Sequence, residues 1–114
     1  MTYKEERPWG WFEVLYEENN LKVKRILVKP NNRLSLQSHT SRSENWTVIS
    51  GSALVQLDEK KIYLSASQSI FIPAKSKHRV ENCEAEDLIF IEVQTGTYLG
   101  EDDIIRYEDD YNRV

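Results

Sequence analysis

The chain contains two histidines, His39 and His78, and each lies in a short polar cluster. Around the first the spacing is Q-x-H-x4-E-x6-G, running from Gln37 through His39 and Glu44 to Gly51. Around the second it is S-x5-P-x-K-x2-H-x3-N, from Ser67 through Pro73, Lys75 and His78 to Asn82. Residues two apart on a strand point to the same side, so Gln37 and His39 can address one ion together. Glu44 follows the Thr40-Ser41-Arg42-Ser43 turn and can fold back onto it, while His78 can arrive from a strand distant in sequence. Two imidazole nitrogens, a carboxylate and an amide oxygen form a mixed N/O set for one divalent ion. Zinc comes first, with manganese, cobalt, iron or nickel as alternatives, and positions remain for water or substrate. A single histidine is more often a plain surface or core group; two of them, together with Glu44, favour the ion.

The elements that must carry these residues are short and rich in β-branched and aromatic residues, and no long stretch repeats at 3.6 residues. Strands are expected at 11–16, 21–28, 34–37, 46–49, 53–57, 61–64, 69–72, 77–80 and 88–94. Pro30-Asn31-Asn32 breaks the chain, and hairpin turns are expected at Gly51-Ser52 and at Asp58-Glu59-Lys60. From Glu101 onward the sequence turns acidic and reads as a short helix or tail. Many short strands with close turns predict an antiparallel sandwich or barrel.

Composition limits the rest. A chain of 114 residues, 39% hydrophobic, has apolar material for one compact domain, taken as 1–114. A net charge of -4 argues against nucleic acid or an anionic membrane surface as partner, so an anionic ligand needs a local basic patch. The single cysteine, Cys83, leaves no internal disulfide and has no base beside it for nucleophilic work. No apolar run is long enough to span a bilayer, and the opening residues do not pair a basic run with an apolar one, so a cytoplasmic protein is expected.

The two spacings reproduce the signature motifs of the cupin superfamily, with Gln37 in the place of the first histidine and Ser67 and Lys75 where glycines usually stand. The resemblance extends to whole phrases: Arg7-Pro8-Trp9-Gly10, Leu34-Ser35-Leu36-Gln37, Arg42-x-Glu44-x-Trp46, Ile72-Pro73, the run from Glu92 to Ile104, and Arg106. In these the chain resembles the isomerase domain of type II phosphomannose isomerases, which usually follows a mannose-1-phosphate guanylyltransferase domain on a bifunctional chain. The resemblance implies an all-β fold, the cupin double-stranded β-helix or jelly-roll barrel, holding one divalent metal through Gln37, His39, Glu44 and His78.

It further implies interconversion of mannose 6-phosphate and fructose 6-phosphate by proton transfer through an enediol or enediolate. Catalysis then needs a cation to stabilise the oxyanion, for which Arg42 is the candidate, and a general base, for which Glu92 is. Glu92 shares a strand face with Phe90 and Gln94, opposite Ile89, Ile91 and Val93. The substrate phosphate needs donors: Lys24, Arg25 and Arg106 are assigned to it, with Arg7 also available. Taken alone, Lys22, Lys24 and Arg25 read as a solvated face, Trp9, Trp11 and Trp46 as packing, and Glu101-Asp102-Asp103 as a closing segment. Where the family usually carries histidines, this chain has Thr40, Ser41 and Asn45. The lost histidines are therefore assigned to positions around the ligands or facing substrate. Two other readings remain: an isomerase or epimerase of another phosphorylated or nucleotide-linked sugar, and a non-catalytic sugar- or metal-binding cupin. A homodimer is expected, with Trp9, Trp11 and Tyr16 offering apolar surface near an open sheet edge.

Overall fold

In the computed structural model, which describes residues 3–113, the chain runs through eleven strands. They are β1 (Tyr3–Arg7), β2 (Gly10–Glu18), β3 (Leu21–Val28), β4 (Leu36–Ser38), β5 (Arg42–Ser50), β6 (Ala53–Leu57), β7 (Lys60–Leu64), β8 (Ser69–Ile72), β9 (His78–Glu81), β10 (Leu88–Gly96) and β11 (Ile105–Glu108). One sheet has the order β1-β2-β3-β10-β5-β8 and the other β11-β4-β9-β6-β7. Sequential strands switch sheet repeatedly, which wraps the chain into the double-stranded β-helix expected from the sequence.

Several expectations change. Gly51 and Ser52 do not close a hairpin: β5 belongs to the six-stranded sheet and β6 to the five-stranded one, so the pair turns a corner between sheets. Gly51 has φ +82°, and a Cβ there would lie 2.6 Å from the Asp87 carbonyl oxygen. Asp58-Glu59 does join a hairpin, Leu57 facing Lys60, with Asp58 at φ 52° and its carboxylate accepting the Lys77 amide at 3.0 Å. The acidic C-terminal stretch is neither helix nor tail. β11 pairs with β4, setting Arg106 opposite Gln37, and the Arg33 guanidinium grips the Asp110 carboxylate at 2.8 and 2.9 Å. The charged run of β1 was not expected as a strand; it is the outer edge of its sheet, where backbone pairing to β2 suffices and charge discourages further strand addition.

The interior changes character along its length. Matching registers across β3, β10 and β5 stack inward-facing rows: Val28 with Leu88, then Ile26, Phe90 and Val48, then Lys24, Glu92 and Trp46, then Lys22, Gln94 and Glu44. Val28, Leu88, Phe90 and Val48 are at most 1% exposed and merge with Val55, Val80 and Ile72 into the main core. Each such large side chain contributes roughly 1.5–3 kcal/mol by leaving water. Trp9 belongs to this core too, so it adds nothing to an open surface, whereas Tyr16 is exposed.

Candidate metal centre

At the polar end of the barrel His39, Glu44 and His78 meet, each buried, with one ligand atom from each lying within 4.8 Å of the others. His39 follows β4, Glu44 lies on β5 and His78 opens β9, so two strands and the turn after a third supply the set. The His39 Nε2 is 3.3 Å from Glu44 Oε2, and the His78 Nε2 is 3.9 Å from Glu44 Oε1. On the far side of each ring Nδ1 meets a carbonyl oxygen, that of Asp103 at 2.7 Å for His39 and that of Ser76 at 3.0 Å for His78. A carbonyl only accepts, so each Nδ1 carries the proton and each Nε2 turns a lone pair toward Glu44. That is the arrangement of a histidine ready to ligate a cation.

Gln37 is the cross-strand neighbour of His78 and lines the same cavity. Its amide nitrogen donates to Ser35 Oγ at 2.9 Å, which leaves the amide oxygen as its free ligand atom. His39, Glu44 and His78 fit one divalent ion once the Arg42 contact to the His39 Nε2 gives way, with Gln37 beside them. Arg42 stands over them, donating from Nε to Glu44 Oε2 at 2.8 Å and from Nη2 to the His39 Nε2 lone pair at 3.2 Å, while its buried Nη1 has no partner among the described residues. Burial first, and the Arg42 charge second, push His39 down to about 4. Burial likewise lowers His78, so both rings are neutral at pH 7.

Glu92 lies beside this set. The Trp46 indole nitrogen donates to Glu44 Oε1 at 2.9 Å and to Glu92 Oε1 at 3.1 Å, and Gln94 Nε2 donates to Glu92 Oε2 at 2.6 Å. Burial, reinforced by the negative charge of Glu44, pushes Glu92 up to about 7 against the pull of Lys24 and Arg42. A carboxyl group near that value can both take and return a proton at neutral pH. Trp46, read from the sequence as packing, thus also ties the two carboxylates together. Its place between them is visible in the period-two spacing of Glu44 and Trp46.

The cavity has a volume of about 100 Å³ and is lined, besides these groups, by Arg7, Lys24, Glu101 and Arg106. Lys24 corrects the solvated-face reading: it is 4% exposed, its ammonium 2.8 Å from Glu101 Oε2 and 4.1 Å from the centre of the Phe12 ring. Lys22 is buried as well. Arg25 does not join them. One residue further along β3 it points to the outer face, exposed, and pairs with Glu13 at 3.0 Å. Arg106 reaches the cavity through the pairing of β11 with β4, and its buried Nε has no partner among the described residues. Asn45 sits between the inward Glu44 and Trp46 and is exposed on the outer face opposite Phe71, so a histidine there would face away from the site. Thr40 and Ser41 meet the site through their backbone amides, which donate to the two oxygens of Asp103, both at 2.9 Å.

A family model described as Mannose-6-phosphate isomerase C-terminal matches residues 1–109. The alginate biosynthesis protein AlgA of Pseudomonas aeruginosa is 50% identical over 108 residues, 95% of this chain and 22% of that protein. The xanthan biosynthesis protein XanB of Xanthomonas campestris is 47% identical over 95% of this chain and 23% of its own length. A mannose-1-phosphate guanylyltransferase of Salmonella muenchen is 46% identical over 90% of this chain and 22% of its length. The chain thus spans less than a quarter of these relatives. Among solved structures, the capsular polysaccharide assembling protein CapF of Staphylococcus aureus superposes with a TM-score of 0.83 at 19% identity, over 95% of this chain and 34% of that one. A double-stranded β-helix protein of Klebsiella pneumoniae superposes with a TM-score of 0.73 at 24% identity, over 84% and 82% of the two chains. These likenesses establish the fold.

Proposed function

Because the chain belongs to the mannose-6-phosphate isomerase C-terminal family, we propose that it is a metal-dependent sugar-phosphate isomerase interconverting mannose 6-phosphate and fructose 6-phosphate. The observation that carries this reading is the placing of His39, Glu44 and His78 in one cavity with a second buried carboxylate, Glu92, bridged to Glu44 by the Trp46 indole and with its pKa pushed by burial up to about 7. A divalent ion held by His39, Glu44, His78 and Gln37 would supply Lewis-acid polarisation of the sugar carbonyl. Glu92 removes the proton from C2 of the open-chain aldose, leaving an enediolate; the O2 hydroxyl proton passes to O1, and Glu92 returns its proton to C1 to give the ketose. Arg42, fixed by Glu44, stabilises the oxyanion that develops more than it does the neutral sugar, which lowers the barrier to proton transfer. Lys24 and Arg106, with Arg7, anchor the phosphate; Arg25 takes no part.

The test is direct. Protein stripped of metal and reloaded with zinc, manganese or cobalt should convert mannose 6-phosphate to fructose 6-phosphate. The conversion should disappear in Gln37→Ala, His39→Ala and His78→Ala. Absence of turnover with every metal would overturn the assignment.

A further inference from the structure

The turn joining β4 to β5 is short, and it delivers His39 on one side and Arg42 and Glu44 on the other. A turn carrying a ligand must be held, because freedom in its backbone becomes freedom in the ligand. Its holder comes from the connection between β10 and β11. Asp103 accepts the Thr40 and Ser41 amides on its two carboxylate oxygens, both at 2.9 Å, and the His39 Nδ1 proton on its carbonyl oxygen at 2.7 Å. The same turn is tied from below by the Lys75 amide donating to the His39 carbonyl at 2.7 Å. The neighbouring Asp102 accepts from the Tyr98 hydroxyl and stays exposed.

We propose that Asp103 is a positioning residue of the ion site: it clamps the ligand-bearing turn from the segment that closes the barrel and so fixes which nitrogen of His39 faces the ion. The proposal rests on the metal reading of the site and on no sugar chemistry. Both carboxylate oxygens receive an N–H, so a carboxamide in their place would set its own amide hydrogens against one of the two donors. The clamp therefore weakens in steps from aspartate to asparagine to alanine.

The experiment compares the full chain with Asp103→Asn, Asp103→Ala and the control Asp102→Asn. Zinc affinity is read by competition with a chromophoric chelator. In metal-free protein, long-range proton–nitrogen NMR reads the ring nitrogens, which are assignable because the chain has only two histidines. Zinc affinity should fall by roughly 10- to 100-fold in Asp103→Ala, less in Asp103→Asn, and stay unchanged in Asp102→Asn. The His39 signals should shift toward a mixture of tautomers while those of His78 keep the Nδ1 proton. Wild-type zinc affinity in Asp103→Ala would overturn the proposal, as would an equal disturbance of both histidines, which signals a loosened barrel rather than a released turn. Should Asp103→Ala not fold, the same two readings on Asp103→Asn decide.

Discussion

The two ends of the barrel interior are built from the same strands and serve opposite purposes. At the closed end β3, β10 and β5 contribute Val28, Leu88, Phe90 and Val48, all but sealed from water and with no polar atom to satisfy. Two rows further along, the same strands contribute Lys24, Glu92, Trp46, Lys22, Gln94 and Glu44. Burying charge costs far more than burying apolar surface returns, unless each charge finds partners. Partners are present in number, yet Glu92 is still driven up to about 7 and the Nη1 of Arg42 goes unpaired among the described residues. The closed end supplies the stability that the open end consumes, and the groups left unsettled at the open end are those to which the proposed function assigns the ion and the proton.

The contrast can be broken or sharpened by substitution. The largest effect is expected for Glu92→Gln, which preserves shape but removes the base. Turnover of the metal-loaded protein should fall roughly 10²- to 10⁴-fold, while the protein stays folded because the Gln94 amide can turn its Oε1, which has no partner among the described residues, toward the new carboxamide. Leu88→Ala, in the row furthest from the site, should do the opposite. It costs about 2–5 kcal/mol of stability by denaturant unfolding, a large share of what a small domain has, while leaving the zinc affinity of the folded fraction unchanged.

Acid and base provide the next contrast. Glu92 has a folded pKa above its ordinary value, so the native state binds the extra proton and stability falls as pH rises from about 4.5 through about 7. His39 is depressed to about 4, so the unfolded state binds the extra proton and stability falls as pH drops from about 6.5 through 4. Between pH 5 and 6.5 the two slopes oppose each other in metal-free protein. Removing one in Glu92→Gln should leave the histidine slope exposed, with unfolding free energy rising by about 2 kcal/mol over that interval. A closed-end variant such as Val55→Ala should be less stable at every pH and keep the wild-type slope.

The smallest effects separate the two faces of β3. Lys24→Ala, on the inner face, should raise KM for the sugar phosphate about tenfold, the effect of losing one charge-assisted contact. Arg25→Ala, on the outer face, should leave KM alone and cost no more than about 1 kcal/mol, as an exposed ion pair does.

How much of this was legible in the sequence follows from the same contrast. The strands could be read where alternation is apolar, as in β10, and the meeting of His39, Glu44 and His78 was foreshadowed by the two spaced polar clusters that carry them. Taken alone, Lys22 and Lys24 read as solvated because alternation is ordinarily resolved by turning apolar residues inward; only the family resemblance turned Lys24 toward the site. Here the inner face is the polar one, and Val23 and Leu27 are left partly exposed outside. Arg25 was misplaced beside Lys24, since a one-residue step along a strand changes face. The turn residues Gly51-Ser52 announced a reversal but carried no information about which sheet the next strand would join. The role of Asp103 depends on a contact across more than 60 residues, which local pattern does not encode.

The most direct test is a zinc titration of stripped protein with mannose 6-phosphate present, followed by the appearance of fructose 6-phosphate, with Glu92→Gln run in parallel. Turnover of the native chain should rise with added zinc and level off at one ion per chain, while Glu92→Gln binds its one zinc and forms almost no product. No product from the native chain at any zinc level, or equal product from both proteins, would contradict the account.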